Sequence, residues 1–272
     1  FEGMSPGDGW KRVFGGQVVA QALLAATRTV LEERPVHSLH GYFLRPGDPA
    51  LPIVYEIDPH RDGKSFTTRG VLARQNGEII FSMIASFHRP EPGFDHQVPM
   101  PDVPAPESLP DEASLITAHG SRMPPSMVTY LGRRRAVELR PTDPEAFLAP
   151  QAGGPARANL WLRVRATLPD EDAVHCAALA YASDISIIAT ALVPHGRTLY
   201  DQQLMMASLD HAIWYHRPFR ADQWLLYSQD SPSASGARGF NRGLIFDRAG
   251  ALIASVTQEG LMRLKAPAFT KP

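Results

Sequence analysis

Two side chains carry chemistry that conflicts with their surroundings. Asp184 is the only charged residue between Ala177 and Val193, and a lone carboxylate in a buried helix costs several kcal/mol unless it is hydrogen-bonded or faces a wet cavity. That makes it a candidate general base. The competing reading is that Ser183 and Asp184 cap a second helical segment after a break. Gln258 is the second case. In the last strand Leu252, Ala254, Val256, Gln258, Gly260 and Met262 share one face, which is the more apolar one. Either the amide serves a site or the backbone satisfies it in the core. Ser208 heads another apolar strand, where both faces are equally apolar, so alternation says little about it alone. His37 and His40 are further candidate bases because His titrates near neutral pH.

Other chemistries find no support. The chain has no G-x-S-x-G elbow, no H-E-x-x-H and no G-x-G-x-x-G. Gly63-Lys64-Ser65 resembles the end of a phosphate loop, but Asp58 stands where that loop needs glycine. The ten histidines are scattered, and His37 and His40 would point to opposite faces of a strand. No metal and no cofactor is expected.

The elements that position these residues recur. An apolar helical stretch runs from Gln17 to Val30, and another from about Ala173 to Val193 follows Asp170, Glu171 and Asp172, as a helix N-terminus prefers. Each is followed by strands. The segment from Ser65 to Phe87 matches that from Ala237 to Gly260, with Arg69-Gly70 on Arg242-Gly243, Ser82 on Ser255, and Gly77 on Gly250 at a hairpin turn. Upstream, Ser38-Leu39 matches Ser208-Leu209. Between the halves Pro90, Pro92, Pro99, Pro101, Pro104, Pro106 and Pro110 exclude a central strand or a helix interior. The expected division is an N-terminal repeat over 1–89, a linker over 90–130 and a C-terminal repeat over 131–272. A helix apolar on all sides must be buried on all sides, so the fold class is α+β, with an antiparallel sheet wrapped around a central helix in each repeat.

Composition bounds the partners. With 272 residues, 27 Lys plus Arg against 28 Asp plus Glu and a formal charge of −1, there is no field to gather nucleic acid or an anionic membrane. A single cysteine, Cys176, excludes internal disulfides and cysteine zinc clusters, and points to a reducing compartment with the cytoplasm as default. No membrane insertion is expected, because the best apolar run contains Asp184.

Seven segments in order resemble the acyl-CoA thioesterase II family, a double hotdog family, across nearly the whole chain. They are VFGGQVVAQAL from Val13, HSLHGYFLRPGD from His37, RDGKSFTTRGVLARQNG from Arg61, YASDISIIATALVPHG from Tyr181, SLDHAIWYHRPFRADQWLLYS from Ser208, SASGARGFNRG from Ser233 and ASVTQEGLMR from Ala254. The resemblance implies two hotdog repeats and a catalytic set that falls on Asp184, Ser208 and Gln258. Ser208 stands where many relatives carry Thr. The implied activity is hydrolysis of fatty acyl-CoA by a water that Asp184 deprotonates and Ser208 and Gln258 hold. Substrate contacts are expected from Gly15, Gly16 and Gln17 as oxyanion donors. Arg69, Arg238 and Arg242 are expected at CoA phosphates. Arg133, Arg134 and Arg135 read as a solvated end of the linker. Open sheet edges and an apolar outer surface lead to the expectation of a homodimer or larger homo-oligomer. The alternatives are a hotdog hydratase or dehydratase, and a non-catalytic acyl-CoA binding module.

Overall fold

Residues 15–27, GGQVVAQALLAAT, combine good helix formers with no charged residue, so this segment is stable as a helix only where a sheet can surround it. In the computed structural model, which describes residues 1–6 and 11–265, that is what happens. A short strand β1 (Glu2–Gly3) precedes helix α1 (Gly15–Thr27), and four strands follow: β2 (Val36–Phe43), β3 (Ile53–Asp62), β4 (Phe66–Gln75) and β5 (Glu78–His88). Val19, Ala22, Leu23 and Ala26 of α1 have no exposed surface.

The second unit repeats the plan. Strands β6 (Val137–Pro141) and β7 (Arg157–Val164) flank the short helix α4 (Pro144–Leu148). The central helix α5 (Asp172–Ser183) is followed by a 3₁₀ segment, Ile187–His195, and then by β8 (Leu204–Ser208), β9 (Asp210–Tyr215), β10 (Leu225–Ser235), β11 (Arg238–Phe246) and β12 (Leu252–Leu264). The span Asp172–His195 is long and apolar enough to cross a membrane by length and composition alone. Here it breaks at Asp184 and lies largely inside the fold, with α5 packed on α1.

All strands join one antiparallel sheet in the order β1-β3-β4-β5-β2-β9-β12-β11-β10-β7-β6, with β8 added to the end of β12. The two units meet where β2 pairs with β9, Ser38 opposite Trp214 and Tyr42 opposite Asp210. The linker contributes more structure than its prolines announce. A 3₁₀ turn at Pro106–Ser108 leads to α2 (Glu112–His119) and α3 (Pro125–Leu131). Prolines occupy first-turn positions, where their missing N–H has no partner to lose. Leu115, Met123, Met127 and Leu131 form a small core of their own. Arg135, read from sequence as solvated, instead pairs with the buried Glu112 of α2.

The repeat is present, but its register shifts by one. Gly77 and Gly250 both turn their hairpins with positive φ, +80° and +90°. The turn between β11 and β12 is one residue longer than that between β4 and β5, as the ladders show: Arg74 pairs with Ile79, and Phe246 with Leu252. A constant offset therefore holds only beyond the turn. Before it, the residue equivalent to Arg69 is Asn241 and not Arg242: Arg69 lies opposite Ala85 and Asn241 opposite Gln258. Both point inward, whereas Arg242 points to solvent. In β2 and β9, the partners of β5 and β12, the shift is two residues, so the expected match of Ser38-Leu39 with Ser208-Leu209 does not hold. Leu39 faces Ala85, and the pairing of Ile213 with Val256 puts His211 in the matching row beside Gln258.

Candidate active site

Three elements from the second unit and one from the first converge on Asp184. The carboxylate sits at the C-terminal end of α5, where the chain leaves the α-helix before the 3₁₀ segment. It makes no capping bond to the segment that follows. Gln258 points inward from β12 and its Nε2 donates to Asp184 Oδ1 at 2.5 Å. Ser208, the last residue of β8, donates its hydroxyl to the same oxygen at 3.3 Å. The Gly16 backbone N–H at the start of α1 also hydrogen-bonds the carboxylate. Helix N-termini favour negative charge, so α1 offsets part of the desolvation of Asp184.

Close approach explains the glycine pair. A Cβ on Gly15 would lie 2.8 Å from Asp184 Oδ2 and 2.9 Å from the Phe43 ring, and one on Gly16 would lie 2.6 Å from both the Phe14 ring and the Tyr181 carbonyl oxygen. The helix start and the carboxylate can meet only with glycine at both places.

Burial dominates the electrostatics. It pushes the Asp184 carboxyl up to about 6, against the opposing pull of Gln258, Gly16 and Ser208. Such a group is ionised at neutral pH yet basic enough to take a proton from water. Its neighbour His211 has no exposed surface, and burial takes that imidazole down to about 4, so it is neutral.

The hydrogen bonds assign the orientation of both rotatable groups. Ser183 Oγ donates to the Ala180 carbonyl at 3.1 Å, so the bond between Ser183 Oγ and His211 Nε2 at 2.9 Å is donated by the ring. His211 Nδ1 is then bare and accepts from Gln258 Nε2 at 3.1 Å. Both amide hydrogens of Gln258 are thus engaged, and its Oε1 is a buried acceptor without a partner among the described residues. A buried acceptor in that state marks a place where a further donor belongs.

Next to the site lies a cavity of about 780 Å³ whose lining includes Ile185, Ser186, Leu139, Phe147, Leu160 and Tyr200, but not Asp184, Ser208 or Gln258. Its inner wall carries a small polar chain in which Thr190 donates to Gln229 Oε1 at 2.9 Å and Gln229 donates to Ser186 Oγ at 2.7 Å.

Comparisons with known proteins place the chain in a family. Residues 6–88 match the acyl-CoA thioesterase N-terminal domain and residues 134–261 match the acyl-CoA thioesterase domain. Human acyl-coenzyme A thioesterase 8 is 40% identical over 263 residues, spanning 94% of this chain and 82% of that protein. The chain belongs to the acyl-CoA thioesterase II family. Acyl-CoA thioesterase 2 of Haemophilus influenzae is 39% identical over 97% of this chain and 92% of its own length. The crystal structure of an acyl-CoA thioesterase II from Mycobacterium marinum superposes with a TM-score of 0.80 at 42% identity, covering 97% of this chain and 93% of that one. The double hotdog fold of this family is the architecture found here.

Within this thioesterase the expected residues separate. Asp184, Ser208, Gln258 and Gly16 come together. Gly16, expected as an oxyanion donor, directs its N–H at the Asp184 carboxylate instead. Gln17 stays apart: its backbone N–H bonds the Phe14 carbonyl at 3.2 Å, and its side-chain amide donates to the Met4 carbonyl and to Ser5 Oγ. Arg69 requires a correction. Its side chain is 5% exposed, and its N–H groups bond Thr29, Arg61, Thr68 and Asp62, which leaves no donor for a phosphate. Arg238 and Arg242 lie on the outward face of β11 in ion pairs with Glu259 and Asp230. His37 bonds Ser86 and His40 bonds Asp210, and neither has a hydrogen bond to Asp184. His211 is the residue that sequence reasoning missed. Its signal was parity: His211, Ile213 and Tyr215 alternate on one face of β9, and all three are buried.

Proposed function

We propose that this acyl-CoA thioesterase cleaves fatty acyl-CoA by direct attack of water, with Asp184 as general base and without a covalent acyl-enzyme. The water oxygen bonds to the thioester carbonyl carbon as its proton passes to Asp184. Collapse of the tetrahedral intermediate expels the CoA thiolate, which takes that proton back. What supports this is the buried pairing of a carboxylate at about 6 with an unpartnered Gln258 Oε1. One water hydrogen has a base to go to, and the other has an acceptor to fix it, so the oxygen lone pair is oriented toward the carbonyl. Ser208 steadies the same carboxylate oxygen. The cavity bordered by Ile185 is mostly apolar, with Arg122, Asp143, Glu145, Arg157 and Arg197 also in its walls, and its size suits an acyl chain, which supports a fatty acyl substrate.

Thiol release from acyl-CoAs of increasing chain length tests the reading. Wild type is expected to turn over, and Asp184→Asn, which keeps size but removes the base, is expected to lose about 10²-fold or more in kcat with KM little changed. Binding without thiol release in the wild type would leave a binding module instead. A homodimer or larger assembly belongs to the same proposal, since Tyr42, Ile84 and Trp214 project from the outward face around the β2–β9 pair. Sedimentation of the purified chain checks it.

A further inference from the structure

We infer that His211 is a positioning residue whose bare Nδ1 holds the Gln258 amide in one orientation while Asp184 changes its protonation state. The inference rests on the water-attack reading above. An ionised Asp184 accepts only, so before the reaction it draws the amide nitrogen of Gln258 toward itself. Once Asp184 has taken the proton of the water, its carboxyl group also donates, and that preference weakens. An amide turned over at this moment would put its nitrogen where the water needs an acceptor. His211 prevents the turn, because its Nδ1 accepts at 3.1 Å and its other nitrogen is committed to Ser183 Oγ at 2.9 Å. Ser183 is committed in turn to the Ala180 carbonyl, so the ring cannot exchange tautomers without breaking that chain. His211, Ser183 and Gln258 all have no exposed surface, so solvent does not offer the amide a substitute partner. His211 does not line the cavity, and its side-chain hydrogen bonds go to Gln258 and Ser183, so it reaches the site through Gln258.

The equivalent position in the other repeat shows that the fold accepts an apolar residue here. Leu39 occupies the row beside Ala85, which supplies the test variant. His211→Leu removes the acceptor, His211→Asn puts an amide oxygen near the place of Nδ1, and His211→Gln reaches toward Ser183 without restoring that acceptor. Expected for Leu and Gln are losses of about tenfold or more in kcat with KM unchanged, and for Asn a kcat within about threefold of wild type. Equal losses in Asn and Gln, or a better Gln than Asn, would overturn the inference, because a purely structural histidine would be served best by keeping the bond to Ser183. In a Gln258→Ala background, His211→Leu is expected to cost nothing more in kcat, and additive losses would also overturn it. Should the Leu variant not fold, the wild-type tautomer decides. Nitrogen-15 chemical shifts at pH 7 are expected to show Nδ1 unprotonated and Nε2 protonated, and the reverse is incompatible with the proposal. Asp184→Asn assayed in parallel keeps the two ideas apart: full activity there removes the water-attack reading, whereas an inactive Asp184→Asn with an additive cycle removes only the role of His211.

Discussion

The two repeats place different residues in the same inward row of the sheet. In the second, Asn241, Gln258 and His211 lie side by side on β11, β12 and β9, and the row faces the C-terminal end of α5. In the first, the row on β4, β5 and β2 reads Arg69, Ala85 and Leu39. There the guanidinium of Arg69 reaches the C-terminal end of α1, bonding both the hydroxyl and the carbonyl of Thr29. One repeat uses this place to hold a carboxylate among neutral hydrogen-bonding groups with one acceptor left open. The other fills it with a cation whose bonds are all satisfied. Under the proposed mechanism, catalysis and stability make opposite demands on equivalent positions, since an open polar valence is a cost to folding and a requirement for chemistry.

That contrast can be tested by erasing it from either side. Gln258→Ala turns the second row toward the first, and we expect it to lower kcat by about 10- to 100-fold, because the water loses its orienting acceptor; stopped-flow thiol release measures this. The acid limb of the kcat–pH profile should come next in size. Asp184 must be ionised to act, so activity rises with pH through about 6. Below that it falls about tenfold per unit. An inflection near 4 would contradict the burial of the base. In the first repeat, Arg69→Met should leave the kcat of the folded protein within about twofold while lowering unfolding free energy by about 1–3 kcal/mol, since Thr29 and Asp62 lose buried partners. Urea titration read beside activity distinguishes it from a substrate contact, which would raise KM instead. Within the second repeat's site the smallest effect belongs to Ser208→Ala. Its hydroxyl lies 3.3 Å from the carboxylate, and losing one such bond should cost about three- to tenfold in kcat.

Much of this was legible in the chain, and the gaps have physical causes. Asp184 and Gln258 stood out because polarity inside an apolar pattern is costly wherever the fold places it. Ser208 came through family resemblance, since a hydroxyl is tolerated on either face of a strand. His211 escaped notice because it follows the change of path between Ser208 and Asp210, where alternation restarts. Arg69 was misplaced for the opposite reason: arginine is ordinarily a surface residue, and no local pattern reports that Thr29 and Asp62 will enclose it. The helices of the linker were hidden by prolines that start them as readily as they exclude them elsewhere.

The continuous sheet across β2 and β9 has a consequence for inheritance. Two identical chains forming such a pair must carry every substitution twice, once in each half, so a change that improves one site alters its twin as well. Joined in a single polypeptide, the halves are free to diverge, and a titration of reactive sites should return one per chain. Under the proposed mechanism the first half serves as the wall supplying Gly15 and Gly16, without which the carboxylate on the other side would have no helix end to face.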